Sequence, residues 1–309
     1  MVTSAVIYLL ALIAHAIEWA SARRPVAVPE LVGAGAGAGA GNGTPAPTAS
    51  EPSTTDDPAE HRVTLFGRIG VALTLIAALS HVAGVVLRGV AAERFPWGNM
   101  YEFVTSSLAF AAVFYLVVVW RKGWTWLGLP VTLLLSVGQG LAVTVFYVAI
   151  APLVPALHSV WFIIHIVAAA IAGAAFNVAA IAAILYLIRQ RAEEKGTLSG
   201  YLARLPHSST LDDFSFRLHR FAFPLWTFTI LAGAVWADYA WGRFWGWDPK
   251  ETWSLVTWVV YAAYLHARVT AGWKGRRAAW LAVVGVATFW FNFIGVNLLA
   301  VGLHSYAGI

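Results

Sequence analysis

The chain contains no cysteine. That excludes a disulfide framework, a thiolate metal site and a thiol nucleophile of its own, so any thiol chemistry must use a partner's thiols. Charge is also scarce. Only 11% of the 309 residues are Asp, Glu, Lys or Arg, against roughly 25% in an average globular protein. That deficit, beside 60% hydrophobic residues, excludes an ordinary soluble cytoplasmic enzyme. A Gly-rich phosphate loop is missing too. The glycines from Gly33 to Gly43 alternate with alanine and lack a strand–turn–helix setting, so they are low complexity. No solenoid-type repeat is visible.

What the chain has instead is long apolar runs. About 20 apolar residues span a bilayer. Eight such runs occur, at about 3–20, 66–88, 101–120, 125–149, 159–188, 216–237, 251–269 and 279–301. The expected fold is all-α, a polytopic membrane protein with about eight transmembrane helices in one bundle. The first run lacks a basic start and an A-x-A-like cleavage site, and Arg23 and Arg24 follow it, so it reads as a retained helix. The expected organisation is a first transmembrane helix over 1–20, a linker over 21–65 and a seven-helix domain over 66–309. Residues 31–60 are Gly/Ala and then Pro/Ser/Thr/Asp, too poor in apolar side chains to bury a core. Residues 189–215 form a second, charged loop.

With these spans, sixteen of the twenty Lys and Arg fall on one side of the membrane. Only Arg88, Arg94, Arg243 and Lys250 fall on the other. The positive-inside rule places the first set, the linker included, in the cytoplasm and both termini outside. Topology thus accounts for the net charge of +5 without a nucleic-acid partner; the partner this pattern implies is the lipid bilayer. A multi-pass protein of the cell (plasma) membrane is expected.

Tryptophan is abundant, at 16 residues, and four of them (Trp241, Trp245, Trp247 and Trp253) fall within Trp241–Trp253 with glycines between them. An aromatic belt at a membrane interface needs no such density. The segment reads as a flat aromatic shelf for a large planar ligand, with glycines that allow close backbone approach. Its second half carries a helix start, with Asp248 as N-cap, Pro249 at the first helical position and Glu251 at the N3 position of a capping box.

Ionisable residues inside a membrane are costly and usually functional. His165 lies one to two turns into the fifth span, and His304 just past the eighth; both share the shelf's side. Imidazole pairs suit iron, and a haem with two axial histidines is the natural flat ligand for such a shelf. A helix–helix hydrogen bond is the ordinary alternative for either one. His266 lies 18 positions after Asp248, about 27 Å along a helix axis, so it sits toward the opposite face. It is either interfacial, beside Arg268, or one ligand of a second, inner site. His81 and His158 read as structural or outer-shell groups. His15 and His219 read as ordinary groups near the inner interface, and His61 and His207 as loop residues. The haem propionates find candidate partners among Arg88, Arg94, Arg243 and Lys250. Arg88 and Arg94 flank a second aromatic segment, Pro96–Glu102.

These residues resemble the CcsA/ResC family of cytochrome c biogenesis proteins, within the haem-handling proteins that share a tryptophan-rich WWD domain. The resemblance covers most of residues 66–309. It rests on Pro96–Glu102, on Ser159-Val160-Trp161 with His165, on Trp241–Trp253 running on to Leu265-His266, and on Val296-Asn297-Leu298-Leu299 with Gly302–Tyr306. The family usually shows Trp-Trp where this chain has Phe244-Trp245, which keeps a ring face and loses an indole donor.

The resemblance implies a concrete function. Haem b, as the substrate being transferred, would pass from the cytoplasmic side to an outer site. Two histidines flanking the WWD segment, by position His165 and His304, would ligate it there. The Cys-x-x-Cys-His motif of an apocytochrome c would then form two thioether bonds to it. His266 would be this subunit's inner-site ligand, opposed by a histidine of a ResB-like membrane subunit. The shelf residues Trp241, Trp245, Trp247, Asp248 and Trp253 would bind the haem. No acid–base dyad or nucleophile is evident in the chain, so catalysis would be mostly positioning. Synthase activity would then belong to the chain only together with its partner. The alternative is a transporter or chaperone that delivers haem outward without attaching it. A third reading, a membrane b-type electron carrier, fits poorly with a ligand pair near the surface beside an open loop.

Overall fold

The computed structural model describes residues 1–22 and 58–304, and among them every regular element is helical. Each of the eight expected runs coincides with a helix. They are α1 (Val2–Ser21), α2 (Pro58–Ala92), α3 (Met100–Lys122), α4 (Gly128–Thr144), α5 (Val160–Glu194), α7 (Ser208–Trp241), α8 (Pro249–Val269) and α9 (Arg276–Trp290). A short α6 (Gly200–Arg204) precedes α7, and α9 continues through a π-helical stretch, Phe291–Gly295, into α10 (Val296–Leu299).

By length and apolar composition, seven helical segments among the described residues can cross a membrane, and the protein is a multi-pass membrane protein. The remaining expected span, α8, is 21 residues long but more polar, and it packs between α7 and α9.

The apolar pattern marks where side chains are buried in lipid or protein, so it misses helix ends that project beyond the bilayer. α2 begins at Pro58, so residues 58–65, expected in the linker, are helical. Proline is well tolerated in a first turn, where its missing N–H has no partner to lose. His61, expected in a loop, therefore lies exposed on α2. Residues 23–57, the bulk of the expected linker, lie outside the described residues. α5 and α7 likewise overrun their expected spans at their charged ends, to Glu194 and from Ser208.

α5 forms the axis of the bundle and makes its most extensive contact with α7. Its buried face is mostly alanine, including Ala168, Ala172, Ala175, Ala179 and Ala182. Between helices in lipid there is little hydrophobic driving force, so small side chains that let backbones approach supply close packing instead. α1 packs on α2 and α4, and α3 joins that group to α5.

Side-chain caps and glycines close the elements. Asn99 caps α3 by accepting from the Glu102 N–H (2.9 Å), and Ser159 caps α5 by accepting from the Trp161 N–H (3.2 Å). α7 ends at Gly242, whose φ of +69° turns the chain out of the helix. The expected capping box at α8 is present, with Asp248 accepting from the Lys250 N–H at 3.1 Å and Glu251 from the Asp248 N–H at 3.1 Å.

Candidate functional site

The loop from α7 to α8, the end of α5 and the π-helical stretch meet at one end of the bundle. They surround a cavity that leaves about 1170 Å³ between protein atoms, part of it open to the surroundings. Its wall is mainly apolar and rich in aromatic rings, with Trp97, Phe162, Trp226, Trp236, Trp245 and Phe293 all facing it. His165 and His304 both border it.

His165 comes from the second turn of α5. Its Nδ1 lies 2.9 Å from the Thr229 carbonyl oxygen of α7. A carbonyl only accepts, so Nδ1 carries the proton and Nε2 the lone pair. The ring stacks on Trp236, with centroids 5.7 Å apart and planes 23° apart. It lies directly against the α7 backbone at Gly233, where a Cβ would come within 2.7 Å of Nδ1. Glycine at that position lets α7 accept the imidazole.

His304 is oriented by the same logic. Its Nδ1–H donates to Asp248 Oδ1 (2.8 Å), and its ring meets Trp241 and Trp236 edge-on at 5.0 and 5.7 Å. Asp248 is the knot of the site. Oδ1 also accepts from the Lys250 N–H, and Oδ2 accepts from the Leu303 N–H at 2.7 Å. Burial opposes ionisation of Asp248, but the His304 hydrogen bond and charge, with the Leu303 and Lys250 N–H groups, outweigh it and hold the carboxyl at about 2. The residue is thus a carboxylate at neutral pH, an acceptor for His304. Removing such an outer partner of a metal-ligating histidine typically weakens metal binding 10–100-fold. Asp248→Asn turns one acceptor oxygen into a donor facing Leu303 or His304. Should the cavity hold haem, the variant is expected to weaken its retention by roughly tenfold or more while helix content stays unchanged, read by absorption and circular dichroism. Unaltered retention would remove Asp248 from the site.

The tryptophans of the expected shelf divide into four roles. Trp245 faces the cavity, and so does Phe244. Trp241 packs behind His304 and on Trp236, 5.0 Å away. Trp253 packs on Phe291 at 4.2 Å and supports the π-helical stretch. Trp247 is 66% exposed, with φ +59°, and meets Trp245 edge-on at 5.7 Å. Trp236, which supports both histidines and whose Nε1–H donates to the Ala156 carbonyl (2.7 Å), lies outside the Trp-rich segment. It reads in sequence as one apolar residue of a span, and only α7's rotation brings it inward. The π-helical turn, common at functional sites, has no sequence signature.

The remaining histidines lie apart from this cavity. His266 is exposed near the far end of α8. His158 is exposed on the loop before α5. His81 is fully buried, 3.3 Å from the Tyr8 hydroxyl. His15 and His219 are fully buried among the helices: His15 bonds Glu18 (2.8 Å), and His219 donates to the Ser215 carbonyl (2.8 Å). Both belong to helix packing.

The cations at this end of the bundle are mostly paired. Arg88 and Arg94 bind the buried Glu102 at 2.8 and 2.7 Å, and Arg243 binds Glu251 at 2.9 Å. Glu251 also accepts from the Gly246 N–H (2.8 Å), which folds the loop back on the helix start.

Among the described residues no three His, Cys, Asp or Glu side chains cluster as a metal site. Two imidazoles alone suit an iron whose other four positions a macrocycle fills. A family model described as cytochrome C assembly protein matches residues 69–304, from α2 through His304. The chain belongs to that family. Its relatives include the cytochrome c biogenesis protein CcsA of Guillardia theta, 37% identical over 77% of this chain and 85% of that protein. The CcsA of a Picosynechococcus species is 35% identical over 79% and 88%, and that of Chlamydomonas reinhardtii 38% over 72% and 64%. The region matched to the cytochrome c assembly family includes both cavity histidines and His266.

Proposed function

We propose that the cavity holds haem b as cargo and presents it, on the outer face of the plasma membrane, for thioether attachment to apocytochrome c. The observation that carries this reading is the matched preparation of His165 and His304. Each has Nδ1–H on an acceptor, leaving Nε2 as the ligating atom, and both border one aromatic cavity. Membership in a family of cytochrome c assembly proteins supplies the context.

In this reading the chain's residues bind and orient. The two imidazoles fix the iron. Trp245, Phe244 and Trp97 offer ring faces to the macrocycle, and the open part of the cavity admits the apocytochrome segment. The Cys-x-x-Cys-His thiols come from that substrate, because this chain has none. Each thiol adds across a vinyl group: a C–S bond forms at one carbon and the proton goes to the other, with no net electron transfer. A ResB-like membrane subunit completes the complex. His266, exposed on α8 near the opposite end, suits an inner site whose other ligand that partner contributes.

The test is co-expression of the chain, a ResB-like partner and an apocytochrome c. The expected result is haem that stays on the cytochrome through denaturing electrophoresis, and its loss when the chain is deleted. Undiminished covalent haem without the chain would overturn the proposal. A second reading, a carrier that delivers haem without attaching it, uses the same two histidines and the same cavity. Haem reaching the outer face with no thioether-linked product would establish it.

A further inference from the structure

Polar side chains also line the largely apolar cavity, among them Lys250 and Asn292. Lys250 is the second residue of α8. Its backbone N–H serves the Asp248 cap, which leaves the side chain outside the capping arrangement. The ammonium lies over the Phe293 ring, 5.7 Å from its centroid. Arg88, Arg94 and Arg243 each have a carboxylate partner, whereas among the described residues no carboxylate lies within ion-pair distance of the Lys250 ammonium. The two acids nearest in sequence are engaged elsewhere, Glu251 by Arg243 and Asp248 by His304 and the Leu303 N–H.

Asn292 stands in the π-helical stretch, so the wider turn sets its side chain against the cavity. It is 8% exposed, and its buried Oδ1 has no hydrogen-bond partner. A buried amide without a partner and a cation without a counter-ion are each unfavourable in a low-dielectric wall. Two such groups on one cavity point to a polar group of the ligand.

We infer that Lys250 is the anchor for a carboxylate of the cavity's ligand, with the Asn292 amide as a second polar handle beside it. This rests on the haem reading above, where the carboxylate is a propionate. Lysine acts as a point charge, so one propionate is held while the axial histidines set the plane. Lys250 is thus a positioning residue. It selects a dicarboxylate porphyrin over an esterified one, and it fixes which edge of the ring enters the cavity.

The experiment titrates the full chain, purified in detergent micelles, with haem and separately with haem dimethyl ester, whose propionates carry no charge. Absorption spectra report both affinity and spin state. Wild type should bind haem at least about tenfold more tightly than the ester. Lys250→Met should reduce that preference to within about threefold while keeping the low-spin spectrum, and Lys250→Arg should restore it. Equal wild-type affinity for the two compounds would overturn the anchor without recourse to a variant, as would an undiminished preference in Lys250→Met. Failure of the haem reading would look different: wild type would show no low-spin haem with either compound.

Discussion

His165→Ala and His304→Ala are each expected to abolish the low-spin haem spectrum of the purified chain and to stop holocytochrome c maturation. Losing the orienting partner of a ligating histidine commonly weakens metal binding 10–100-fold, and losing the ligand itself should exceed that range. The two variants should behave alike, because the site needs both imidazoles. Each is held by an acceptor at Nδ1, Thr229 for one and Asp248 for the other, and both rings rest on Trp236. Neither substitution should unfold the bundle, since each ring borders the cavity. Added imidazole, which diffuses into the space an alanine leaves, should restore part of the low-spin signal. His266→Ala should leave the spectrum of haem added from the outer side intact and lower only the loading that occurs in cells. A wild-type spectrum in both outer variants would defeat the ligand assignment.

Glu102→Ala is expected to have the largest effect on stability. Its carboxylate is fully buried and takes four donors: Arg88 Nε at 2.8 Å, Arg94 Nη1 at 2.7 Å and Nη2 at 3.3 Å, and the Gly98 N–H at 2.8 Å. Arg88 and Arg94 also donate to the carbonyls of Val148 and Ala151. One carboxylate therefore ties the end of α2, the Pro96–Glu102 segment and the loop before α5 together. Truncating it leaves two guanidinium groups without a counter-ion. Breaking a buried pair by removing one partner is destabilising by roughly 3–5 kcal/mol. Thermal unfolding in detergent should show a large drop in midpoint. Glu102→Gln, which keeps the shape and loses the charge, should show most of the same loss. Trp97 lines the cavity from this segment, so haem retention should fall as well. An unchanged midpoint for Glu102→Ala would show that the arginines find other acceptors.

The apolar runs, the absence of cysteine and the density of tryptophan in Trp241–Trp253 already determine an all-helical membrane protein with a specialised loop, because a bilayer leaves helices few alternatives. The α8 start was legible to the residue, since a capping box is a local code of two side chains, here with a proline at the first helical position. Positions along the helices placed His165 and His304 at one end. His61 and residues 58–65 escaped that reading, because polar helix turns beyond the apolar run leave no hydropathy signal.

Everything that depends on rotation about a helix axis was decided by tertiary structure. Burial of His15 and His219 follows from which face α1 and α7 turn inward. The selection of Trp245 over Trp247 and Trp253 as a cavity face follows from a loop folded back by Glu251 and Arg243. Trp236 became the common support of both histidines only when α5, α7 and the chain's end met. The pairing of Arg88 and Arg94 with Glu102 joins residues from α2, the loop after it and α3. Local sequence sets which residues can lie on one helix face or cap one helix end. Contacts between helices are set by the packing of whole surfaces, which no single stretch of the chain encodes.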